Sequence, residues 1–164
     1  FPEKVVPLFV TNLIDGHRVP LYGSGGNIRD WLYVLDHCTA VDLVLRRGET
    51  GRVYNVAAGS EVTNLELTRR LLAAFGAGED MVEYVTDRPG HDWRYSLDAT
   101  RLRELGWAPA HDFDEGLAET IAWYRDNEDW WRPLKPAGAT RTLDHGPPAA
   151  PHGQGPDRPA RPGV

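Results

Sequence analysis

Residues 87–95, DRPGHDWRY, gather two arginines and a histidine around a Pro-Gly pair. Pro followed by Gly is typical of a type I or type II turn, which explains Pro89 and Gly90 without any function. Arg88 and His91 flank the turn, and arginine suits phosphate because its planar guanidinium can donate two parallel hydrogen bonds. The same charges are equally typical of a solvated surface on which arginines pair with neighbouring aspartates. The loop by itself therefore leaves phosphate binding and a plain surface open.

A second candidate for binding the same anion is Asn64. Thr63 and Glu66 have the spacing of a capping box, which predicts Asn64 in the first turn of a helix. Backbone amides in a first turn are unpaired and carry a partial positive charge, so they form an anion site to which Asn64 can add a side-chain donor. The alternative is a plain cap by Thr63 that leaves Asn64 without a role.

Arg29 and Tyr22 complete the candidates. Alternation along residues 28–34 predicts a strand with Arg29, Trp31 and Tyr33 on one face. An arginine on a strand usually makes a structural ion pair, but in a cleft Arg29 would be a third phosphate ligand. Tyr22 offers a rigid ring on which a base can stack, with ordinary packing as the alternative.

Composition restricts what such a site can bind. The chain of 164 residues has 18 Lys and Arg against 24 Asp and Glu, a net charge of -6, which argues against nucleic acid or an anionic membrane as a partner. A local basic cluster in an acidic chain suits a compact anion. The single cysteine, Cys38, excludes an internal disulfide and a cysteine metal cage, and no metal site is expected. This cysteine content favours a cytoplasmic location, and the sequence shows no membrane span and no signal peptide pattern.

Catalytic motifs are absent from the sequence. It contains no GxGxxG or P-loop pattern and no identifiable Ser-His-Asp set, and the loop GSGGN at 23–27 lacks the lysine of a phosphate cradle. No catalytic residue is therefore predicted. The chain opens at Phe1 on an amphipathic helical pattern, and we expect it to be part of a longer protein.

Two regions must be distinguished along the chain. Residues 136–164 are rich in proline and glycine with almost no large aliphatic side chains, so they are predicted to be a disordered tail. Residues 1–135 alternate helical and extended patterns, which predicts an α/β fold. The predicted helices occupy residues 2–16, 36–46, 63–76, 98–106 and 112–127, and the predicted strands occupy residues 19–23, 28–34, 52–57 and 81–85.

Five segments carry a family resemblance: FPEKVVPLF, VPLYGSGGNIRDWLYVLDH, VYNVAAGSEVTNLEL, DRPGHDWRYSLD and ELGWAP. Together they resemble the C-terminal part of the dTDP-glucose 4,6-dehydratase family, within the extended short-chain dehydrogenase/reductase group. RDWLYV with its following Asp-His identifies only the superfamily, whereas DRPGHDWRY points to the dehydratase branch. The resemblance covers residues 1–135 and implies the C-terminal substrate-binding portion of an NAD-binding Rossmann-type enzyme.

The resemblance also implies site residues, all of which bind substrate. Lys4 and Val5 would lie beside the pyrophosphate and nucleoside, and Pro20, Leu21 and Tyr22 would line the thymidine pocket. Arg29 and Asn64 would hold the diphosphate. The closing loop over the phosphate-ribose end would consist of Asp87, Arg88, Pro89, Gly90 and His91.

The family's reaction machinery is missing here. The Gly-rich NAD fingerprint, the Tyr-x-x-x-Lys pair and the Asp-Glu pair lie upstream of Phe1 in the family, so this chain alone is predicted inactive and NAD is expected in the missing N-terminal domain. The family implies a homodimeric parent that converts dTDP-glucose to dTDP-4-keto-6-deoxyglucose and water. The alternatives are a fragment of a UDP-sugar 4-epimerase or decarboxylase, and a non-catalytic module that binds nucleotide sugars.

Overall fold

The computed structural model describes residues 4–135, and the predicted disordered tail lies outside the described residues. Helices and short strands alternate along the described chain, which confirms the α/β prediction. Their order is α1 (Val5–Ile14), β1 (Val19–Tyr22), β2 (Ile28–Asp30), α2 (Val34–Arg47), β3 (Glu61–Thr63), α3 (Asn64–Ala74), β4 (Val82–Val85), α4 (Thr100–Glu104), α5 (Phe113–Asp126) and α6 (Glu128–Trp131), with single 3₁₀ turns at Glu79–Met81 and Arg132–Leu134.

The strands form two small sheets. β1 pairs in parallel with β4, so that Tyr22 lies opposite Val85, and β2 pairs antiparallel with β3. A bridge between Ile28 and Arg94 adds the segment after β4 to the second sheet. Because parallel strands run in one direction, the loops that follow Tyr22 and Val85 leave the sheet at the same edge. The Gly-rich loop 23–27 and the loop that begins at Asp87 are thereby brought together.

The larger hydrophobic core lies between α1, α3, α5 and β1. Leu67 and Leu71 of the predicted stripe on α3 are fully buried there, and Phe9 of α1 is 1% exposed. Burying a side chain of this size contributes about 1.5–3 kcal/mol. The predicted stripe on α5 also faces this core, with Leu117 and Ile121 buried. A smaller core joins α2 to α4 through Ala40, Leu102 and Trp107.

Helix boundaries follow the predicted caps closely. Asp112 and Glu115 form a complete capping box at α5, because each side chain accepts a hydrogen bond from the other residue's backbone N–H. Thr63 caps α3 by accepting from Glu66 N at 3.1 Å, but the Glu66 carboxylate turns to Arg70, so the predicted box is only half formed. Gly76 follows α3 with a φ of 64°, the left-handed conformation expected after a helix.

The strand predicted over residues 28–34 is only partly present. β2 ends at Asp30, and α2 begins at Val34, two residues before the predicted start. β3 offers only three residues for pairing. Beyond it the Trp31 backbone N–H donates to Ser60 O at 3.1 Å, and the Trp31 indole N–H donates to Val62 O at 3.2 Å. Arg29, Trp31 and Tyr33 were predicted to share one face of a strand, and of these three only Arg29 lies in a strand.

The predicted strand at residues 52–57 is wrong, and β3 was not predicted. A strand needs a neighbouring backbone, and none of the strand pairings in the described chain involves residues 52–57. Side-chain hydrogen bonds hold this segment instead: the Arg101 guanidinium donates to Val53 O at 2.5 Å, and the Asn55 side-chain amide donates to Asp98 O at 3.0 Å. The Val53 side chain is 73% exposed.

Candidate functional site

The turn at Pro89 and Gly90 is confirmed and can be classified. His91 N donates to Arg88 O at 3.2 Å across the turn, and Gly90 has a φ of 69°. A positive φ at the third position defines a type II turn, which glycine adopts without strain. The turn directs both Arg88 and His91 back toward β1.

Arg88 and His91 meet at the Tyr22 ring. The Arg88 guanidinium carbon lies 5.1 Å from the centre of that ring, and the His91 ring meets it edge-on with 6.2 Å between centres. The His91 side chain is only 6% exposed. Tyr22 is thus enclosed by the loop on two sides, and Arg88 is supported by an aromatic face.

Asp87 closes this loop onto the Gly-rich loop. Its carboxylate accepts from His91 Nδ1 at 2.7 Å and from Arg88 N at 2.8 Å. The His91 hydrogen bond, with that from Arg88 N, lowers the pKa of Asp87 against the effect of its partial burial. A Cβ on Gly23 would lie 2.9 Å from Asp87 Oδ2, and Gly23 has a φ of 53°, so this contact requires glycine.

Arg29 approaches the same region from β2. Its guanidinium donates to Ile28 O at 2.6 Å and to Asp92 O at 2.9 Å, and lies 4.3 Å from the centre of the Tyr95 ring. Within residues 4–135 neither Arg29 nor Arg88 forms an ion pair with an acid. Neither guanidinium is therefore held in an ion pair there, although the Arg88 charge helps to lower the pKa of the neighbouring Asp87.

Arg94 differs from these two arginines. Its guanidinium makes two hydrogen bonds of 2.7 Å with Glu61, whose carboxylate also accepts from Ser96 Oγ at 2.6 Å. The Arg94 and Ser96 hydrogen bonds lower the pKa of Glu61. Arg94 thus forms a structural ion pair of the kind considered for this loop. Its partner is Glu61 of β3 and not a neighbouring aspartate.

The first turn of α3 does not offer free backbone amides, which corrects that part of the prediction. Asn64 N donates to Asn27 O and Leu65 N donates to Gly25 O, both at 2.9 Å, while Glu66 N donates to Thr63. The Gly-rich loop therefore occupies the positions expected for an anion. The hydrogen bonds of Asn64 found within residues 4–135 all involve its backbone, so among the donors of this first turn its side-chain amide is the one left for a ligand.

The other predicted contacts lie at the start of α1 and in β1. Lys4 is exposed at the start of α1, and Val5 packs against the larger core. Pro20 and Leu21 are buried in β1, with Leu21 2% exposed, so a ligand can reach them mainly through backbone atoms. Tyr22 is the partly exposed side chain among the three predicted pocket residues of β1.

A large groove lies elsewhere, between α1, α5 and residues 31–35. It has a volume of about 620 Å³, and aromatic side chains such as Trp31, Phe113 and Trp123 line it. None of the predicted site residues borders it. Beside it, Asp36 accepts from Ala110 N and from the backbone and side chain of His111, a clasp that fastens α2 to the segment before α5.

The described residues offer no metal cluster, and their Gly-rich loop is closely packed. In residues 4–135 no group of three His, Cys, Asp or Glu side chains is arranged to hold a metal ion. The Gly-rich loop packs closely against its neighbours, since a Cβ at Gly25 would meet Leu21 and one at Gly26 would meet Trp93 at 2.7 Å. In the same described range, no helix has the length and apolar character to cross a membrane.

Two contributions were not predicted from sequence: the Tyr95 ring under Arg29, and Glu61 as the partner of Arg94. Tyr95 ends the motif that drew attention to this loop, so its presence was visible. Its position under Arg29 depends on the bridge between Ile28 and Arg94, which no local pattern indicates.

Solved structures define the class. The chain is similar to dTDP-glucose 4,6-dehydratase from Streptomyces venezuelae, solved with NAD bound, at 52% identity and a TM-score of 0.79 over 82% of this chain and 42% of that one. It is also similar to UDP-glucose 4-epimerase from Thermotoga maritima, at 31% identity and a TM-score of 0.70 over 75% of this chain and 40% of that one. The fold is thus part of an extended short-chain dehydrogenase/reductase of Rossmann type.

Within this class of dehydrogenases/reductases, the sequence matches one family. Residues 1–120 match the family model described as GDP-mannose 4,6 dehydratase, and the chain belongs to that family. A curated relative, dTDP-glucose 4,6-dehydratase from Streptomyces antibioticus, is 57% identical over 157 residues, which cover 95% of this chain and 45% of the relative. The chain therefore spans less than half the length of the curated relatives it matches.

Proposed function

We propose that this chain is the dTDP-sugar-binding portion of a dTDP-glucose 4,6-dehydratase. The parent enzyme converts dTDP-glucose to dTDP-4-keto-6-deoxyglucose and water. The observation that carries the proposal is the pair of arginines, Arg29 and Arg88, which lie over aromatic faces and form no ion pair in the described chain. Two such guanidiniums beside a tyrosine ring suit a nucleoside diphosphate.

Each residue has a part in this binding. Arg29 and Arg88 donate to the diphosphate, the Asn64 amide adds a neutral donor, and the Tyr22 ring faces the base. Asp87 holds His91 against Tyr22, so that the loop at 87–91, including Pro89 and Gly90, closes over the nucleotide. Lys4, Val5, Pro20 and Leu21 contribute through backbone atoms and packing. Contacts remote from the reacting sugar orient it for reaction.

The chain by itself is inactive under this proposal. NAD and the catalytic residues belong to the part of the parent that this chain does not contain. The parent acts in the cytoplasm as a homodimer, with a small-molecule substrate and without nucleic acid or membrane partners. Purified chain supplied with NAD and dTDP-glucose should form no keto sugar.

Two alternatives are less well supported. A UDP-sugar 4-epimerase fragment fits less well because the epimerase structure is 31% identical, against 57% for the curated dehydratase. A free-standing module is disfavoured by apolar side chains that remain exposed on and near α2, since a larger parent would cover them. These side chains are Val34, Leu35, Val41, Leu45 and Val53.

Calorimetric titration of the chain with dTDP and with UDP tests the proposal. We expect dTDP to bind more tightly than UDP, and Arg29→Ala to weaken dTDP binding at least about tenfold, since hydrogen bonds to charged groups contribute about 1.5–3 kcal/mol. Arg125→Ala is the matched control, because Arg125 also lies over an aromatic ring, Phe75, and donates to a backbone carbonyl.

Preference for UDP would contradict the dehydratase assignment in favour of the epimerase. Equal losses in Arg29→Ala and Arg125→Ala would contradict the placement of the diphosphate at Arg29.

A further inference from the structure

Asp92 is joined to Arg29 through its backbone. Its carbonyl oxygen accepts from Arg29 Nη2 at 2.9 Å and from Asn27 Nδ2 at 3.2 Å. Asp92 also has a side-chain carboxylate close to this carbonyl in the chain. An arginine beside a free carboxylate commonly forms a bidentate pair, which would neutralise the charge that a diphosphate needs.

The Asp92 carboxylate is bound elsewhere, by Tyr95. The Tyr95 hydroxyl donates a short hydrogen bond to Asp92 Oδ2. The Arg29 guanidinium carbon lies over the same ring, 4.3 Å from its centre. This hydrogen bond from the hydroxyl to Asp92 raises the pKa of Tyr95, so the hydroxyl keeps its proton and remains a donor. One side chain thus contacts both the cation and the acid.

We propose that Tyr95 is a positioning residue that keeps Arg29 available for the diphosphate. Its ring supports the guanidinium, and its hydroxyl holds the Asp92 carboxylate away from it. The inference rests on the proposed function, and it adds to that function a residue that does not itself touch the ligand.

Two other arginines show why both parts of Tyr95 matter. Arg94, whose neighbouring acid Glu61 is not held back by a tyrosine, is fully engaged by that acid in two hydrogen bonds. Arg125 lies 4.4 Å from the centre of the Phe75 ring, which has no hydroxyl, and it has no acidic partner among the described residues. A ring face is therefore enough to support an arginine, and the hydroxyl is needed where a carboxylate lies within reach.

A double-mutant cycle on the full 164-residue chain tests the inference. Tyr95→Phe keeps the ring but releases Asp92, which should then pair with Arg29 and weaken dTDP binding about fivefold, the upper range for an exposed ion pair. Adding Asp92→Asn to the Tyr95→Phe variant should restore affinity to within about twofold of the original. Asp92→Asn alone should change affinity less than it does when Tyr95→Phe is also present.

The cycle separates this effect from a general loss of negative charge near the ligand. Removing the Asp92 charge favours an anion whether or not the Tyr95 hydroxyl is present, so only the difference between the two cases reports the action of that hydroxyl. Thymidine, which lacks the diphosphate, should bind all four proteins equally. Thermal unfolding midpoints that match show that the fold is retained.

The outcomes distinguish the inference from the proposed function. No coupling between positions 92 and 95, with measurable dTDP binding, overturns the inference and leaves the proposed function standing. An equal loss for thymidine and dTDP in Tyr95→Phe also overturns it, since the hydroxyl would then act through general structure. Absence of dTDP binding by the unsubstituted chain overturns the proposed function, and the inference with it.

Discussion

Two histidine–aspartate pairs occur in the described chain, and they differ in what surrounds them. Asp36 is buried, its side chain 2% exposed, and it accepts from His111 Nδ1 at 3.1 Å as well as from two backbone N–H groups. Asp87 is 46% exposed and accepts from His91 Nδ1 at 2.7 Å and from one backbone N–H. The same chemical pair therefore serves as an internal clasp in one place and as a surface loop anchor in the other.

The difference indicates which pair contributes to stability and which to binding. A buried carboxylate that satisfies three donors cannot be removed without leaving those donors unpaired. Asp87 is nearly half exposed and accepts from two donors instead of three, so we expect it to contribute less to stability than Asp36 and to act mainly by holding His91 and Arg88 against Tyr22. Three predictions, in order of decreasing effect, test this distinction.

Asp36→Ala should lower the free energy of unfolding by about 3 kcal/mol, because two backbone N–H groups and the His111 ring lose their acceptor. Urea unfolding measures the change. Asp42→Ala on the exposed face of the same helix is the control, since its partner Arg46 is 72% exposed. A loss at Asp36 no larger than the loss at Asp42 would show that the buried clasp contributes little.

Asp87→Asn should leave the free energy of unfolding within about 0.5 kcal/mol, as expected for an exposed side chain. Affinity for dTDP should nevertheless fall about fivefold, because His91 and Arg88 lose the charged acceptor that orients the loop. Parallel urea unfolding and calorimetric titration give both numbers. Strong destabilisation with unchanged affinity would reverse the roles assigned to the two pairs.

The pH dependence of stability should report the Asp36 clasp. The Asp36 hydrogen bond raises the pKa of His111 above its ordinary 6.5, so the stability from the charged ring is complete below that pH and is lost as pH rises through the folded-state pKa. Burial opposes ionisation of Asp36, but the hydrogen bonds from Ala110 N and His111 outweigh it and lower its pKa below 3.8. That contribution is present above pH 3.8 and is lost as pH falls through the folded-state pKa.

The wild-type protein should therefore be more stable than Asp36→Asn, and the difference in the free energy of unfolding should be largest between pH 3.8 and pH 6.5. Its advantage should shrink as pH rises from about 5.5 to about 8.5, as urea unfolding at several pH values would show. An advantage that grows over this range would mean that the His111 ring does not gain a proton in the clasp.

Local patterns predicted the features whose determinants lie within one segment. The capping box at Asp112 and Glu115, the apolar stripe on α5 and the turn at Gly90 all require residues a few positions apart. Their predictions were confirmed because helix capping and turn conformation depend on neighbouring backbone groups. The strand predicted at residues 52–57 failed because a strand requires a partner from elsewhere.

The candidate site shows the same division. The sequence by itself determined the residue types, namely arginines with forked donors, a tyrosine ring, and a Pro-Gly turn that the structure forms as type II. Only the tertiary structure decided which arginine keeps its charge: parallel pairing of β1 with β4 brings Arg88 onto Tyr22, and the bridge from Ile28 to Arg94 places Tyr95 under Arg29. Charge availability depends on which acid lies within a few ångströms, and that distance is set by strand pairing between segments remote in the chain.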